Sequence, residues 1–229
     1  MAEPLARMSV SDQVFAHLRE AILAGRYAPG ERLPTQRTLA AEMQVNIATV
    51  REALKRLEQL RLLDVRHGDA MRVLDWRRSG GLEALVLLGS VNEEVTRPLF
   101  EARRLLLVET ARLAAERRSE EQAQMIEQLA ESVALAPDGQ TALTCDWCFM
   151  AAIVEAAGNL VFQLIMNSVR ELYLPHAETF LALLDGREQL APLYRRVAVA
   201  VRGGDGEQAA LIIGDLAAAQ EANMLARMT

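Results

Sequence analysis

Residues 33–68, LPTQRTLAAEMQVNIATVREALKRLEQLRLLDVRHG, decide the fold of the first part of the chain. The pattern predicts a short helix, a tight turn, a longer helix and a small strand pair closing on His67 and Gly68. This order is typical of a winged helix-turn-helix, whose second helix lies in the DNA major groove. Apolar residues at helical spacing are expected to form its core, namely Leu39, Met43, Val50, Ala53, Leu54 and Leu57.

Polar residues of the same stretch are left free to contact double-stranded DNA. Arg37 and Arg51 suit charge-assisted hydrogen bonds to phosphate or to guanine. Asn46 and Thr49 are expected at the start of the second helix, where the helix dipole favours phosphate. The sequence therefore predicts double-stranded DNA as a partner.

Three pieces of this stretch resemble the N-terminal domain of GntR-type bacterial transcription regulators. They are LP-x-x-R (33–37), TVREALKRLE (49–58) and RHG (66–68), in this order and spacing. Carried over position by position, the resemblance implies DNA contacts by Arg37, Asn46, Ile47, Ala48, Thr49, Arg51, His67 and Gly68. The alternative for His67 is a solvated side chain at the wing tip, uncharged at neutral pH.

Ile47 departs from the pattern of these regulators, which usually carry Arg at this position. Isoleucine cannot form the bidentate contact to guanine, but it can pack against a thymine methyl group. We therefore expect an operator that differs at this base. The alternative is that Ile47 turns inward and belongs to the core.

Composition and charge are compatible with this interpretation. The net charge is −6, yet the first 76 residues carry 11 Lys+Arg against 10 Asp+Glu, out of 25 and 31 in the chain. The acidic excess therefore lies in the second part, and the first part can present a local basic face. The beginning, MAEPLARMSV, lacks the apolar run of a signal peptide, and no stretch is long enough to span a membrane. With two cysteines, the chain is expected in the cytoplasm.

The remaining sequence predicts a mainly α protein with two domains. We expect a winged helix-turn-helix over 1–76, a linker over 77–81, and an all-helical effector-binding and dimerisation domain over 82–229. Its helices are predicted near 82–89, 93–118, 120–136, 140–157, 160–185, 188–203 and 206–227.

The second part resembles the helical FCD-type effector domain of the FadR subgroup. The resemblance rests on EARRLLLVETARLAAER (101–117), AAGN (156–159) and GGDGEQAA (203–210). It implies a homodimeric, ligand-responsive regulator, expected to be a repressor, that reads a palindromic operator. Effector binding is expected to reposition the DNA-binding domains.

Many members of this subgroup bind a divalent metal through one Asp and three His. The Asp position corresponds to Asp146, whereas the three His positions hold Met150, Tyr194 and Leu216. One carboxylate is too few ligands for a transition metal, so no bound metal and no cofactor are expected. The acyl-coenzyme A-responsive members share this loss. The resemblance therefore implies a fatty acyl-coenzyme A or fatty acid effector; the alternative is another small organic acid.

The effector site is expected to combine one cation with apolar and aromatic side chains. Arg103 occupies the position of a ligand-facing Arg in relatives and suits a carboxylate or phosphate. Tyr173, Phe180 and Tyr194 are further candidates for the lining, with Asp146, Met150 and Leu216. The alternative is that the apolar members are plain core and that Arg103 forms an ion pair with Glu101 neighbours or with Glu109.

Other function classes are less well supported. The sequence contains no nucleophile–base pair, Gly-rich phosphate loop or metal cluster, which argues against an enzyme. Cys145 and Cys148 form a C-x-x-C in a predicted helix, where two buried thiols packing as small hydrophobes are expected. A redox-responsive or non-sensing DNA-binding protein is the remaining alternative.

Overall fold

A computed structural model describes residues 9–65, 71–81, 93–173 and 177–227. The chain divides into two compact units, Met1–Leu88 and Gly89–Thr229. Both are mainly helical in their described parts, and the only strands described there form one short pair in the first unit. The mainly α fold class is confirmed. The helix predicted near 82–89 lies outside the described residues.

The first unit has the element order of a winged helix-turn-helix. Its helices and strands are α1 (Val10–Leu23), α2 (Gln36–Glu42), α3 (Ile47–Gln59), β1 (Leu63–Asp64), β2 (Arg72–Val73) and α4 (Trp76–Ser79). The two strands pair antiparallel, with Leu63 opposite Val73. Helix α4 overlaps the predicted linker, residues 77–81. It begins after Asp75, whose side chain caps the helix by accepting a hydrogen bond from the Arg77 amide.

Side-chain caps fix where the first three helices begin. Ser9, Thr35 and Asn46 each accept a hydrogen bond from the backbone amide three residues later. Ser9 is therefore the cap of α1, and Ser11 is buried inside the helix. The apolar faces of these helices then meet in one cluster, with Leu18, Leu39 and Leu57 at its centre. All six predicted core residues belong to it or pack against it.

The second unit is a bundle of helices. They are α5 (Glu93–Arg117), α6 (Glu120–Leu135), α7 (Gly139–Ala156), α8 (Leu160–Tyr173), α9 (Ala177–Phe180), a 3-10 turn (Leu181–Leu184), α10 (Arg187–Gly203) and α11 (Gly206–Ala226). The single helix predicted over 160–185 is wrong: α8, α9 and the 3-10 turn are separate elements. The sequence places Pro175 in this run, and a proline lacks the amide that a continuous helix needs.

Helices α5 and α11 are antiparallel neighbours. Gly206, at the start of α11, lies so close to α5 that an added Cβ would be 3.2 Å from the Arg112 carbonyl oxygen. Further along, the Arg103 side chain of α5 bonds to Gln220 of α11. Among the described residues, the chain has no helix with the length and apolar character needed to cross a bilayer.

Candidate functional sites

Helix α3 presents one buried and one exposed face. Val50 and Leu54 are fully or almost fully buried, whereas Ala48 and Arg51 are exposed. Ile47 is 41% exposed, so the interpretation of this residue as core is wrong. The exposed face therefore combines an isoleucine, a small side chain and a cation next to one another.

The start of α3 is held by a local hydrogen-bond pair. Asn46 Oδ1 accepts from the Thr49 amide at 2.7 Å and from the Thr49 hydroxyl at 2.9 Å. This oxygen caps the helix, which leaves the Asn46 amide NH₂ group and the Thr49 oxygen lone pairs to interact with DNA. The position of Asn46 at the start of this helix was predicted, and the structure adds that its side-chain oxygen is the cap.

Two exposed guanidinium groups belong to the same module. Arg37 lies on α2 and Arg51 on α3, and neither has an ion pair within the described part of the chain. Exposed cations on both helices suit phosphate or base contacts. The predicted contacts of His67 and Gly68 lie outside the described residues and stay predictions.

Arg56 is a third cation of this module, and it points away from the exposed face of α3. Its Nη1 donates to Asp12 Oδ1 of α1 at 2.7 Å. Its guanidinium also lies 4.1 Å from the centre of the Phe15 ring. Hydrogen bonds from Ser9 and then from Arg56 hold the pKa of Asp12 below its ordinary value. Arg56 therefore fastens α3 to α1.

The second candidate site surrounds a buried carboxylate. Asp146 of α7 is 1% exposed and accepts hydrogen bonds from side chains of three other helices. The Tyr173 hydroxyl donates at 2.9 Å, the Tyr194 hydroxyl at 2.5 Å and Gln220 Nε2 at 3.0 Å. Such donors compensate the cost of removing a carboxylate from water.

Gln220 joins this carboxylate to the nearby cation. Its Nε2 also donates to the Tyr194 oxygen at 2.8 Å, while its Oε1 accepts from Arg103 Nη2 at 2.7 Å. The alternative interpretation, an ion pair between Arg103 and Glu109, is wrong, because Glu109 pairs with Arg112. Gln220 was not predicted, and no signal in the sequence sets it apart from the other polar residues of its helix.

The second amino group of the Arg103 guanidinium, Nη1, differs from Nη2 in its hydrogen bonding. Nη1 is buried and has no hydrogen-bond acceptor among the residues that the structure describes. A buried donor without an acceptor costs free energy, and more so when it is charged. The described part of the site therefore lacks a hydrogen-bond acceptor for Arg103 Nη1.

Both tyrosines are neutral donors. Burial, and then the charge of Asp146, raises the pKa of the Tyr173 hydroxyl and that of the Tyr194 hydroxyl well above the ordinary value. The Tyr173 ring lies between Trp147 and Phe180, with centroid distances of 5.2 Å and 5.0 Å. Phe180 thus contributes to the site by holding Tyr173 in place.

The residues around Asp146 do not suit a divalent metal. The three positions that carry His in metal-binding relatives offer a thioether at Met150, a hydroxyl that already donates to Asp146 at Tyr194, and no donor at Leu216. All three side chains are buried. Within the described ranges, no group of three or more His, Cys, Asp or Glu could hold an ion. Met150 and Leu216 take no part in the hydrogen-bond network and act as bundle core.

The cysteines of the C-x-x-C differ from the expected pair of buried thiols. Cys145 is partly buried, but Cys148 is exposed. Burial, then Cys148 and Asp146, raises the pKa of the Cys145 thiol. A raised pKa lowers the thiolate fraction, and the thiolate is the reactive form. This environment does not favour a redox sensor.

Comparison with known proteins gives two family matches. Residues 10–73 match the model described as bacterial regulatory proteins, gntR family, and residues 98–219 match the FCD domain. The transcriptional regulator Mce2R of Mycobacterium tuberculosis is 33% identical over 207 residues, 89% of this chain and 86% of that protein. A fatty acid metabolism regulator protein of Enterobacter is 27% identical over 80% of this chain and 77% of its own length.

The similarity extends to solved structures. The structure of Lar, which controls the expression of the Listeria monocytogenes agr system, matches with a TM-score of 0.62 and 16% identity. The match covers 97% of this chain and 99% of that one. It supports the fold alone.

Proposed function

The chain belongs to the gntR family of bacterial regulatory proteins and carries an FCD domain, and on this premise we propose a ligand-responsive repressor that reads a palindromic operator as a homodimer. It is a helix-turn-helix transcriptional regulator with an effector domain, and it is not an enzyme. Two copies related by a two-fold axis present two recognition helices, which suits two half-sites of a palindrome.

The exposed face of α3 supports the DNA-reading part of the proposal. Ile47, Ala48 and Arg51 lie on that face, and Asn46 caps its start by accepting from Thr49. An exposed isoleucine contacts a thymine methyl group better than it contacts any polar base edge. The operator therefore carries a thymine where relatives with Arg read a guanine.

Selection of bound sequences from a randomised DNA pool tests this assignment. The variant Ile47→Arg should move the preference to guanine at one position in each half-site, because Arg forms a bidentate contact to guanine O6 and N7. The control Gln59→Arg adds the same charge at the far end of α3 and should tighten binding without changing the preferred bases. An unchanged preference in Ile47→Arg would remove Ile47 from the DNA interface.

The effector part depends on one observation, the buried Nη1 of Arg103 without an acceptor. A carboxylate or phosphate oxygen satisfies such a donor and neutralises its charge. Aromatic and aliphatic neighbours favour an acid with an apolar tail, and a relative at 27% identity is a fatty acid metabolism regulator protein. We assign a fatty acid or fatty acyl-coenzyme A as effector, held without a metal; another small organic acid is the alternative.

Native mass spectrometry of the purified full chain is the first test. A co-purified acyl-coenzyme A or fatty acid would support the proposal and give its chain length. Thermal unfolding with dodecanoate and with dodecanol then separates the acid group from the tail, since a bound effector stabilises the folded state by mass action.

The outcomes separate the alternatives. The proposal expects stabilisation by dodecanoate or dodecanoyl-coenzyme A, none by dodecanol, and loss of the effect in Arg103→Met. Stabilisation by succinate or benzoate alone would favour the small-acid alternative. Absence of stabilisation by all of these acids would favour a non-sensing DNA-binding protein.

A further inference from the structure

Helices α5 and α11 form a groove of about 480 Å³ on the surface of the second unit. The groove is separate from the buried network around Asp146, because none of the residues that form that network lines it. We infer that this α5/α11 groove, which includes Arg104, Leu105, Leu211, Gly214, Asp215 and Ala218, is where two copies of the chain associate. The inference rests on the proposed homodimer and adds its surface and its register.

The apolar part of the groove has the shape of a helix-packing surface. Leu105 and Leu211 are 63% and 61% exposed, although both are large aliphatic side chains. Next to them, Gly214 has no side chain and Ala218 only a methyl group, so the surface of α11 is recessed there. Side chains of a second helix can enter between such ridges and small residues. Burial of the two leucines against a partner then adds hydrophobic stabilisation.

The charges of the groove specify how the second copy lies. Arg104 belongs to α5 and Asp215 to α11, and neither has an ion pair among the residues that the structure describes. A two-fold axis along the groove places α5 of one copy on α11 of the other. Arg104 then faces Asp215 of the partner subunit, and the symmetry repeats the pair. The groove is thus complementary to a copy of itself.

A second charge pair of the groove is already satisfied within the chain. Arg112 Nε donates to Glu207 Oε1 at 3.0 Å, and Arg112 Nη1 pairs with Glu109. The Arg112–Glu207 pair joins α5 to α11 in each copy, and the Arg112–Glu109 pair within α5 orients the guanidinium. Arg104 and Asp215 are therefore the charges left for the partner.

Another exposed apolar surface serves as a control. Helix α8 exposes Leu160, Val161 and Leu164 by 67%, 61% and 56%. Its three exposed apolar residues lie on a single helix, whereas the groove joins two helices and includes the exposed charges of Arg104 and Asp215. We therefore assign the copy–copy contact to the α5/α11 groove and not to α8.

Sedimentation velocity of the full chain over a concentration series tests the surface. Leu105→Lys should raise the dimer dissociation constant on the order of a hundredfold, because the two-fold axis places the substitution in the interface twice. Leu164→Lys adds the same charge at a similarly exposed leucine and should leave the constant unchanged. Both sites are exposed in the single chain, and circular dichroism confirms that each variant is folded.

Charge reversal tests the register. Arg104→Asp and Asp215→Arg should each weaken the dimer by about tenfold or more, since each places like charges opposite one another. The double variant restores opposite charges across the two-fold axis and should recover most of the affinity of the original chain. Failure of the double variant to recover would overturn the inferred register.

The remaining outcomes separate the groove from the dimer itself. A dimer that is insensitive to Leu105→Lys, or lost in Leu164→Lys, overturns the groove and leaves the proposed homodimer standing. A chain that stays monomeric up to about 100 micromolar overturns both. Operator binding by the exposed face of α3 is measured separately and does not depend on this result.

Discussion

The exposed face of α3 and the network around Asp146 differ in solvent exposure and in the number of helices that contribute residues. Residues of the α3 face belong to one segment, are open to solvent and have their backbone set by the Asn46 cap. Residues of the Asp146 network come from five helices, since Arg103 of α5 joins those of α7, α8, α10 and α11. A substitution on the first surface can change recognition without changing the fold. A substitution in the second must change the packing of the bundle as well.

The two regions also differ in whether water can replace a lost hydrogen-bond partner. An exposed side chain that loses its partner is solvated at once, so its contribution appears only when DNA is bound. A buried donor that loses its acceptor has no such substitute, so its loss appears in the free energy of unfolding. Stability and recognition should therefore respond separately in the two regions.

The largest effect is expected from Asp146→Ala. The substitution leaves the hydroxyls of Tyr173 and Tyr194 and the amide of Gln220 without their common acceptor. The free energy of unfolding of the second unit should fall by roughly 3–5 kcal/mol. Urea unfolding followed by Trp147 fluorescence, in a Trp76→Phe background, measures this unit separately from the first.

Glu155→Ala is the matched control for that experiment. Glu155 is a carboxylate on the same helix α7, but it is exposed. Its removal should change the free energy of unfolding by less than about 0.5 kcal/mol. Equal effects of the two substitutions would show that the network around Asp146 does not stabilise the bundle.

A smaller effect, on affinity alone, is expected from Arg51→Ala. The operator affinity should fall by about 1–3 kcal/mol if Arg51 contacts a base, with relaxed preference at that position. The free energy of unfolding should stay unchanged, because Arg51 is exposed and makes no ion pair within the described ranges. Fluorescence anisotropy with operator DNA, at two salt concentrations, measures both affinity and its salt dependence.

Arg196→Ala is the control for the loss of positive charge. Arg196 is exposed on α10 of the second unit. Its removal lowers the net charge by the same amount but should leave operator affinity unchanged. A uniform loss of affinity on all sequences in Arg51→Ala, with a lower salt slope, would identify a phosphate contact in place of a base contact.

The same contrast explains what the sequence could predict. The apolar spacing over α2 and α3 and the polar residues at the start of α3 are local signals, so the two helices of the helix-turn-helix and their core were predicted. The side on which Ile47 lies remained open, because helical spacing alone does not say where an apolar face ends. The structure decides this by burying Val50 and exposing Ile47.

Local signals were insufficient in the bundle. Gln220 lies 117 residues from Arg103 along the chain, and no spacing relates the two before the helices pack. A family position identified Asp146, but its partners depend on how α8, α10 and α11 meet α7. Tertiary contacts, not propensity, set the network around Asp146. The break of the expected helix over 160–185 is different, because Pro175 is a local signal for it, which the prediction set aside in favour of the aliphatic run on both sides.

The smallest effect is expected at the ion pair of Asp12 and Arg56 in the first unit. Both side chains are about half exposed, so the pair is intermediate between the exposed α3 face and the buried Asp146 network. Hydrogen bonds from Ser9 and Arg56 hold the pKa of Asp12 below its ordinary value, so the folded state favours the charged carboxylate. This contribution to stability is present above pH about 4, where the unfolded chain is also ionised, and is lost as the pH falls through the lowered pKa.

Asp12→Asn should therefore destabilise the first unit at neutral pH by less than Asp146→Ala destabilises the second, because solvent screens a half-exposed pair. The difference in melting temperature from the original chain should shrink as the pH falls below about 4. Trp76 fluorescence in a Trp147→Phe background follows this unit, and Glu52→Gln, an exposed carboxylate on α3, is the control. A difference that stays constant down to pH about 2 would mean that Asp12 acts by shape and not by charge, and that Arg56 is held by Phe15 alone.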